Sequence, residues 1–338
     1  MNAELVDSRR RRRLVTGMLL AALLLSALGL MVGSEHLGWA DLGRADAQLI
    51  IGRIRAPRTL GAFGVGALFG LAGAIAQGLF RNPLADPYLL GSAAGASLAV
   101  VLVLAGGALL GRHVGSVNLA WLRQLGLVTA AFGGALGGVL LTLVLARGAQ
   151  QTLRLLLAGV VVGVVLGACG DLLTTWSPAA LRGRQTFMLG STAFLDWAGV
   201  GWLFGGLLLA LPFSGRLARA LDALSLGEDS ASSLGLNLPR LRLLLVLLLA
   251  LCTGLAVSQA GLVAFVGLVS PHLVRRFAPS AHGFTLPASA VAGGVLMLAA
   301  DVLARGLIAP QELPVGVLTA VLGGGYLLWL LHRRGAMR

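Results

Sequence analysis

Ten separate runs of about 20 apolar residues are the feature of this 338-residue sequence that most limits its fold. A run of this length can cross the hydrocarbon core of a bilayer as one helix. Because the bilayer offers no water to unpaired backbone groups, a spanning segment must satisfy its own N–H and C=O groups, which favours helices. We therefore predict an all-α polytopic membrane protein with about ten transmembrane helices in one bundle. The predicted spans are 14–33, 59–80, 90–111, 125–146, 153–176, 197–213, 241–258, 262–276, 286–304 and 315–331.

The charged residues are few and mostly of one sign. Charged residues make up 12% of the chain, about half the ~25% of an ordinary soluble domain, and all 26 basic residues are arginine. The absence of lysine excludes a P-loop ATP site, which needs a lysine at the phosphates, and Schiff-base chemistry, which needs a lysine amine. We attribute the net charge of +13 to membrane orientation and lipid headgroups rather than to nucleic-acid binding.

The placement of the arginines predicts the orientation of the chain. With a cytoplasmic N-terminus, 17 arginines fall on the cytoplasmic side and 9 on the other side, in agreement with the positive-inside rule. The even number of spans then puts both termini in the cytoplasm. We predict a cytoplasmic basic segment over residues 1–13, a first helix that is retained rather than cleaved as a signal peptide, and a single transmembrane domain over residues 14–335.

A tight group of arginines lies on the outer side, where orientation alone would not have put it. Arg55 and Arg58 are three residues apart at a helix entrance marked by Pro57, so both can face outward. Anchoring to lipid headgroups and docking of an acidic partner both fit this pattern, and we favour docking.

The segment after the second span carries two prolines four residues apart, which stop the helix and redirect the chain. A tight turn and the lining of a translocation pathway explain it equally well, because irregular backbone at membrane depth needs water or protein around it. The candidate pathway or gate residues here are Asn82, Pro83, Asp86, Pro87, Gly91 and Ser92.

The longest polar segment on the cytoplasmic side is the loop 222–240. It contains a predicted short helix with acidic residues in its first turn and Gly235 near its C-terminal cap. The loop is either simply solvated or a docking element for a cytoplasmic motor. The residues of the predicted docking helix are Glu228, Asp229, Ser230, Ala231, Ser232, Ser233, Leu234, Gly235, Leu236 and Asn237.

Pro271, near the inner end of a short span, predicts a broken helix close to the cytoplasmic exit, and we add Pro271 and His272 to the pathway candidates. No second histidine or carboxylate stands at ligand spacing from His272, so we predict no metal site. Zinc-hydrolase and nucleophile-elbow motifs do not occur in the sequence, and we predict no catalytic residue.

Two acidic residues fall inside predicted spans. Asp301 and Arg305 are four residues apart and form an expected ion pair. Asp171 has no partner at such spacing, and we favour a helix-packing hydrogen bond over a proton relay.

Glycines recur at spacings of three and four, which predicts close helix packing and leaves open that some helices slide on one another. The rows are Gly66, Gly70 and Gly73; Gly133, Gly134, Gly137 and Gly138; and Gly159, Gly163, Gly167 and Gly170.

Several of these segments occur together in the order typical of one family. They are Arg55-Ala56-Pro57-Arg58, QGLFRNPLADPYLLG at 77–91, LLLAGVVVG at 155–163, FMLGS at 187–191, SLGLN at 233–237, FVGLVSPHLVRR at 265–276, ADVLAR at 300–305 and ELPVGVLTA at 312–320. Over about residues 50–335 the chain resembles the permease subunits of ABC importers for iron-siderophores, haem and vitamin B12, the FecCD type. It departs from their pattern at Ala56, where the family has leucine, and at Gly323–Tyr326, where the family usually has a Gly-Ala-Pro-Phe-like stretch.

The resemblance implies a type II importer permease, not an enzyme, that pairs with a second copy, in a homodimer, around a central pathway in the bacterial inner membrane. Separate cytoplasmic ATPase subunits would bind ATP and Mg, while this chain binds no cofactor directly. A periplasmic binding protein would meet Arg55, Arg58 and Arg305 through its carboxylates, and a helix over 230–238 would seat in the ATPase. The cargo implied is a metal chelate, with iron-siderophore first and haem or cobalamin next. The alternative is an ion-coupled secondary transporter that uses Asp171 or Asp301 as a proton relay.

Overall fold

A computed structural model describes residues 2–33, 45–110, 120–148 and 151–335. Within these ranges all regular secondary structure is helical. A π-helical segment, Ile51–Arg55, joins α2 to α3, and a short 3₁₀ helix, Pro87–Leu90, precedes α4. The α-helices are α1 Asn2–Met31, α2 Ala45–Ile50, α3 Ala56–Leu79, α4 Ser92–Leu110, α5 Ala120–Leu145, α6 Thr152–Trp176, α7 Pro178–Leu189, α8 Trp197–Ser225, α9 Glu228–Ser233, α10 Leu238–Ala260, α11 Val266–Phe277, α12 His282–Gly306 and α13 Val315–Gly335.

The predicted all-α polytopic fold is confirmed. Each predicted span coincides with one helix, namely α1, α3, α4, α5, α6, α8, α10, α11, α12 and α13. Among the described residues, seven helices are long and apolar enough to cross a membrane, and α4 and α13 contain shorter apolar stretches. Helix α11 has only 12 residues. Residue 111 of the third predicted span, together with Arg44, Arg112 and Arg338, lies outside the described residues.

Two predicted boundaries differ from the structure. The basic segment is not separate from the first span, because α1 begins at Asn2 and runs without a break to Met31. The sixth span continues beyond residue 213 to Ser225, past Pro212 in the helix interior. Long amphipathic extensions of a spanning helix carry polar residues, so apolar length alone underestimates them.

Helix α3 forms the centre of the bundle and packs most closely against α12. A Cβ atom at Gly66 would lie 2.2 Å from the carbonyl oxygen of Gly293, and one at Gly70 would lie 2.0 Å from that of Ser289. Only glycine lets the two backbones approach this closely. The predicted close packing is thus confirmed for this row, and the carbonyl of Gly267 in α11 meets Gly73 in the same way.

The charged contacts lie at the two ends of the bundle. We call the end that carries Arg58 the outer end and the end that carries α9 the inner end, after the predicted orientation.

Candidate functional site

At the outer end, Asp301 binds side chains from three parts of the chain. Its carboxylate is fully buried and accepts hydrogen bonds from Thr192 Oγ1 at 2.6 Å and from Arg58 Nε at 3.1 Å. The Nη2 of Arg305 lies 2.5 Å from its other oxygen. Arg58 also donates from Nη1 to Glu312 Oε1 at 2.9 Å. We call Arg58, Asp301, Arg305 and Glu312 the outer cluster; it joins α3, α12 and the loop before α13.

Two of the predicted docking arginines bind the outer end of α1. Arg55 Nη1 donates to the carbonyl oxygens of Leu30 at 3.1 Å and Met31 at 2.6 Å. Arg305 Nη1 donates to the carbonyl oxygen of Gly29 at 2.8 Å. The last turn of a helix leaves four carbonyl groups without partners inside the helix, and arginine side chains supply the missing donors here.

All three predicted docking arginines are therefore buried. Arg55 is 5% exposed, Arg58 is 8% exposed and Arg305 is 1% exposed. The expectation that their side chains face outward is wrong for this arrangement of the chain. Arg55 and Arg305 bind carbonyl groups at the end of α1, and Arg58 and Arg305 bind the buried Asp301. Glu312 is the most open member of the outer cluster, with a side chain 33% exposed. The role of Arg55, Arg58 and Arg305 in docking stays a prediction.

The predicted ion pair of Asp301 with Arg305 is present, and Asp171 makes the favoured hydrogen bond between packed helices. Arg184 of α7 forms an ion pair with the Asp171 carboxylate, whose side chain is 69% exposed. The two residues are 13 positions apart in the sequence. They meet because α7 follows α6 through a break at Ser177, so a search at helical spacing could not find the pair.

The candidate gate residues between α3 and α4 form a turn, residues 80–91, with one exposed part and one buried part. Asn82 and Pro83 are exposed, and the Asn82 side chain accepts a hydrogen bond from the backbone N–H of Leu84 at 2.9 Å. Asp86 caps the 3₁₀ helix by accepting from the N–H of Tyr88 at 2.8 Å. The buried part includes Pro87, Leu90 and Gly91, and Ser92, the first residue of α4, is buried beside it.

The buried part of this turn is held between α5, α6 and α11. Thr142 of α5 donates to the carbonyl of Leu90 at 2.9 Å. A Cβ at Gly159 of α6 would lie 2.1 Å from the carbonyl oxygen of Leu89, and one at Gly267 of α11 would lie 2.7 Å from Pro87. The turn is thus inserted into the bundle rather than exposed as a simple surface loop.

The break predicted at Pro271 lies elsewhere. Pro271 is inside the continuous helix α11, and the chain is non-helical over 261–265, before that helix begins. Phe265 adopts a left-handed conformation with φ 66° at the helix start. The hydroxyl of Tyr88 accepts from the N–H of Val263 at 3.2 Å and donates to its carbonyl at 3.3 Å, which supplies partners that the missing helix would have provided.

His272, the other candidate from this span, contacts an aromatic side chain of α13. The rings of His272 and Tyr326 meet edge to face at an interplanar angle of 68°, with centroids 5.9 Å apart. Tyr326 lies in the stretch where the sequence departs from the family pattern.

The predicted docking helix at the inner end is shorter than expected. Helix α9 spans Glu228–Ser233, and residues 234–237 lie outside it. Gly235, with φ 81°, ends the helix: its N–H bonds to the carbonyl of Ser232, and the N–H of Leu236 bonds to that of Ala231. Asn237 caps the next helix, α10, by accepting from the N–H of Arg240 at 3.1 Å. The predicted cap at Gly235 is confirmed, but the ten-residue helix is not.

Helix α6 has an open face that the rest of the described chain does not cover. Among the described residues no atom lies within 4 Å of a Cβ placed at Gly163 or Gly167. The predicted close packing is therefore absent at these two glycines, whereas Gly134, in another of the predicted rows, has the backbone of Gly95 against it. Large side chains at helical spacing line the same helix and are each more than half exposed: Leu157, Val160, Val161 and Val164.

Two residues of the outer end, Glu312 and Thr192, are not among the predicted site residues. Glu312 binds Arg58 and Thr192 binds Asp301, each from a loop. The contacts of Glu312 and Thr192 join residues 254 and 109 positions apart, so only the packing of the helices brings these residues together.

Comparisons with known proteins agree with this geometry. A family model described as the FecCD transport family matches residues 18–333. The hemin transport system permease protein HmuU of Yersinia pestis is 39% identical over 342 residues, which cover 98% of this chain and 99% of the relative. The vitamin B12 import system permease protein BtuC of Salmonella paratyphi A is 38% identical over 335 residues, 96% of each chain. A solved structure described as an inward-facing conformation of a metal-chelate type ABC transporter superposes with a TM-score of 0.84 at 27% identity, covering 95% of this chain and 99% of that one.

Proposed function

We infer the role of this chain from the fact that it belongs to the FecCD transport family: it is the permease subunit of an ABC importer for a metal chelate, haem or vitamin B12. The observation that carries this inference is the match over almost the whole chain. The structure is consistent with it. The 80–91 turn inserted into the bundle is a candidate gate, and the outer cluster and α9 are candidate docking sites at the two ends.

We propose that the chemistry of ATP lies in separate ATPase subunits, which bind ATP and Mg beneath α9, while this chain binds no cofactor directly and no nucleic acid. The absence of lysine supports this division, because a P-loop needs that residue. The protein would be a multi-pass protein of the bacterial inner membrane with both termini in the cytoplasm. Residues 14–335 would form one permease domain after the basic segment 1–13, with 222–240 as the coupling loop.

We propose that the outer cluster, with Arg55, is the docking site of a periplasmic binding protein. Arg58 carries the only contact of the cluster with a partly exposed carboxylate, that of Glu312. A carboxylate of the binding protein would replace Glu312 at Arg58, and Arg55 and Arg305 would hold α1 in place around the site.

We propose that a second copy of the chain covers the open face of α6. Glycines that face open space, in a helix rich in exposed valine, suit a close helix contact in lipid. The pathway would run between the two copies. The candidate pathway or gate residues stay Asn82, Pro83, Asp86, Pro87 and Gly91 of the turn, Ser92 at the start of α4, and Pro271 and His272 of α11.

The cargo we propose to test first is an iron-siderophore, with haem and cobalamin as the next candidates. The relatives named above carry hemin and vitamin B12, so the shared chemistry is a bulky metal chelate.

An ion-coupled transporter is not favoured. A proton relay needs a carboxylate that is free to change its charge, whereas Arg184 pairs with Asp171 and two arginines bind Asp301.

The experiment is uptake into proteoliposomes that contain the permease together with the ATPase subunit and the binding protein of its importer. Labelled ferric siderophore, hemin and vitamin B12 are offered in turn, with ATP inside the vesicles. ATP-dependent uptake of one of them is expected. Uptake that proceeds without ATPase subunits and stops when the proton gradient is collapsed would overturn the proposal.

A further inference from the structure

Glu228, the first residue of α9, binds three other parts of the chain at the inner end. Its Oε2 lies 2.6 Å from Arg242 Nη2 in α10, and its Oε1 lies 3.6 Å from Arg81 Nη2 and 3.2 Å from Thr152 Oγ1. We call Glu228, Arg81, Thr152 and Arg242 the Glu228 cluster. One carboxylate thus connects α9 to the ends of three other elements.

The contact with Arg242 fixes the carboxylate in place. Arg242 is 1% exposed, and a buried guanidinium needs a counter-charge. Burial raises the pKa of Glu228, but the hydrogen bond and the charge of Arg242 outweigh burial and hold the pKa of this carboxyl below its ordinary value. Glu228 is therefore ionised at neutral pH and remains bound to α10.

The contact with Arg81 joins α9 to the 80–91 turn, which contains most of the candidate gate residues. Arg81 adopts a left-handed conformation with φ 49°, at the position after a helix where glycine is preferred. The N–H of Arg81 bonds to the carbonyl of Gly78, and the N–H of Asn82 bonds to that of Gln77, so the turn ends α3 in a regular way. A residue other than glycine in this conformation is strained. Unlike glycine, arginine at this position has a side chain that reaches Glu228, and it directly precedes the gate candidates Asn82 and Pro83.

The contact with Thr152 joins α9 to α6, the helix with the open face. Thr152 is the first residue of α6, and the preceding residue, Gln151, makes no side-chain cap hydrogen bond. Glu228 therefore binds the unsupported beginning of the helix that would line the pathway.

We propose that Glu228 is the positioning residue through which a displacement of α9 reaches both the 80–91 turn and α6. The proposal rests on the proposed function, in which α9 receives the motion of the ATPase. Without the carboxylate, α9 can move while the turn and α6 stay in place, so ATP hydrolysis would no longer be matched by uptake.

The test uses the assembled transporter in proteoliposomes, with ATP hydrolysis and chelate uptake measured on the same vesicles. The chelate is whichever of ferric siderophore, hemin and vitamin B12 the unaltered transporter takes up. Glu228→Gln is expected to lower the uptake per ATP hydrolysed about fivefold or more, the lower range of coupling between two sites. A merely structural loss would lower both rates by one factor and leave their ratio unchanged.

Because Glu228→Gln removes a negative charge beside the buried Arg242, a second variant keeps the proposal open to refutation if the first does not fold. Arg81→Gly suits the left-handed backbone better than arginine does and removes only the side chain, and it is expected to lower the same ratio. Asp171→Asn, which removes an arginine-paired acid from the opposite end of α6, is the matched control and is expected to leave the ratio unchanged.

The outcomes separate the inference from the function on which it rests. No ATP-dependent uptake by the unaltered transporter would defeat the proposed function. Uptake in the unaltered transporter, with an unchanged ratio in Arg81→Gly or in a folded Glu228→Gln variant, would overturn the role of Glu228 and leave the proposed function standing.

Discussion

Arg58 and Asp301 join the outer ends of α3 and α12, with the Nε atom of the arginine 3.1 Å from the Oδ1 atom of the aspartate. The aspartate is fully buried, and Arg305 binds its other oxygen. One carboxylate therefore compensates two buried guanidinium groups. Asp301 thus stabilises the outer end of the bundle, independently of any partner that binds there.

Asp301→Asn should destabilise the fold strongly. The substitution leaves two buried arginines without their shared counter-charge, and breaking a buried pair in this way costs about 3–5 kcal/mol. The free energy of unfolding, measured by denaturant titration in detergent micelles, checks this. Asp171→Asn removes an acid that is mostly exposed, and about 1 kcal/mol or less is expected there. Equal losses in the two variants would contradict the role of Asp301.

Glu312→Gln should strengthen docking of the binding protein. If a partner carboxylate must replace Glu312 at Arg58, removing the internal competitor favours the partner, by up to about fivefold for a partly exposed pair. Binding of the loaded binding protein to the detergent-solubilised transporter measures the affinity. Arg58→Gln should weaken binding in the same assay. A weaker complex with Glu312→Gln would mean that Glu312 itself serves the partner.

Gly73→Ala should disturb the centre of the bundle. A Cβ there would lie 1.6 Å from the carbonyl oxygen of Gly267, so α3 and α11 would have to separate. A cost of about 1–3 kcal/mol is typical of overpacking, and the melting temperature in detergent reports it. Gly163→Ala, where open space surrounds the added atom, is the control for the single chain. A stable Gly73→Ala variant would show that the two helices are not held at this distance.

Gly163→Phe should weaken the pairing of two copies. A large side chain on the open face of α6 prevents close approach of a second helix, while the fold of one chain has room for it. Light scattering of the purified protein after size exclusion gives the mass of the assembly. Gly205→Phe, at an equally open glycine of α8, should leave the dimer intact. A dimer unaffected by Gly163→Phe would place the second copy elsewhere.

The all-helical class and the order of the apolar helices could be predicted from the sequence, because apolar length is a local property that the bilayer imposes. The cap at Gly235 was predictable for the same reason, since a left-handed residue after a short helix is a local signal. The break was assigned to Pro271, yet it lies at 261–265, because Tyr88, far away in the sequence, satisfies that backbone.

Apart from the Asp301–Arg305 pair, which is local in sequence, the partners of charged residues could not be predicted in this way. Asp171 pairs with an arginine 13 residues away, and Arg58 binds acids more than 240 residues away. Helix packing determines these pairs, and no periodicity in the sequence encodes it. For the same reason the sequence indicated outward-facing arginines where the structure has buried ones.

Helix α3 has a consequence for how the two faces of the transporter communicate. It has 24 residues and is about 36 Å long, with Arg58 in its first turn and Arg81 two residues beyond its end. Glycine contacts fix its middle to α12 without a gap. A helix packed in this way is expected to move as a rigid body rather than to bend. A tilt of this helix at the proposed seat of the binding protein would therefore also move its other end, beside the proposed seat of the ATPase.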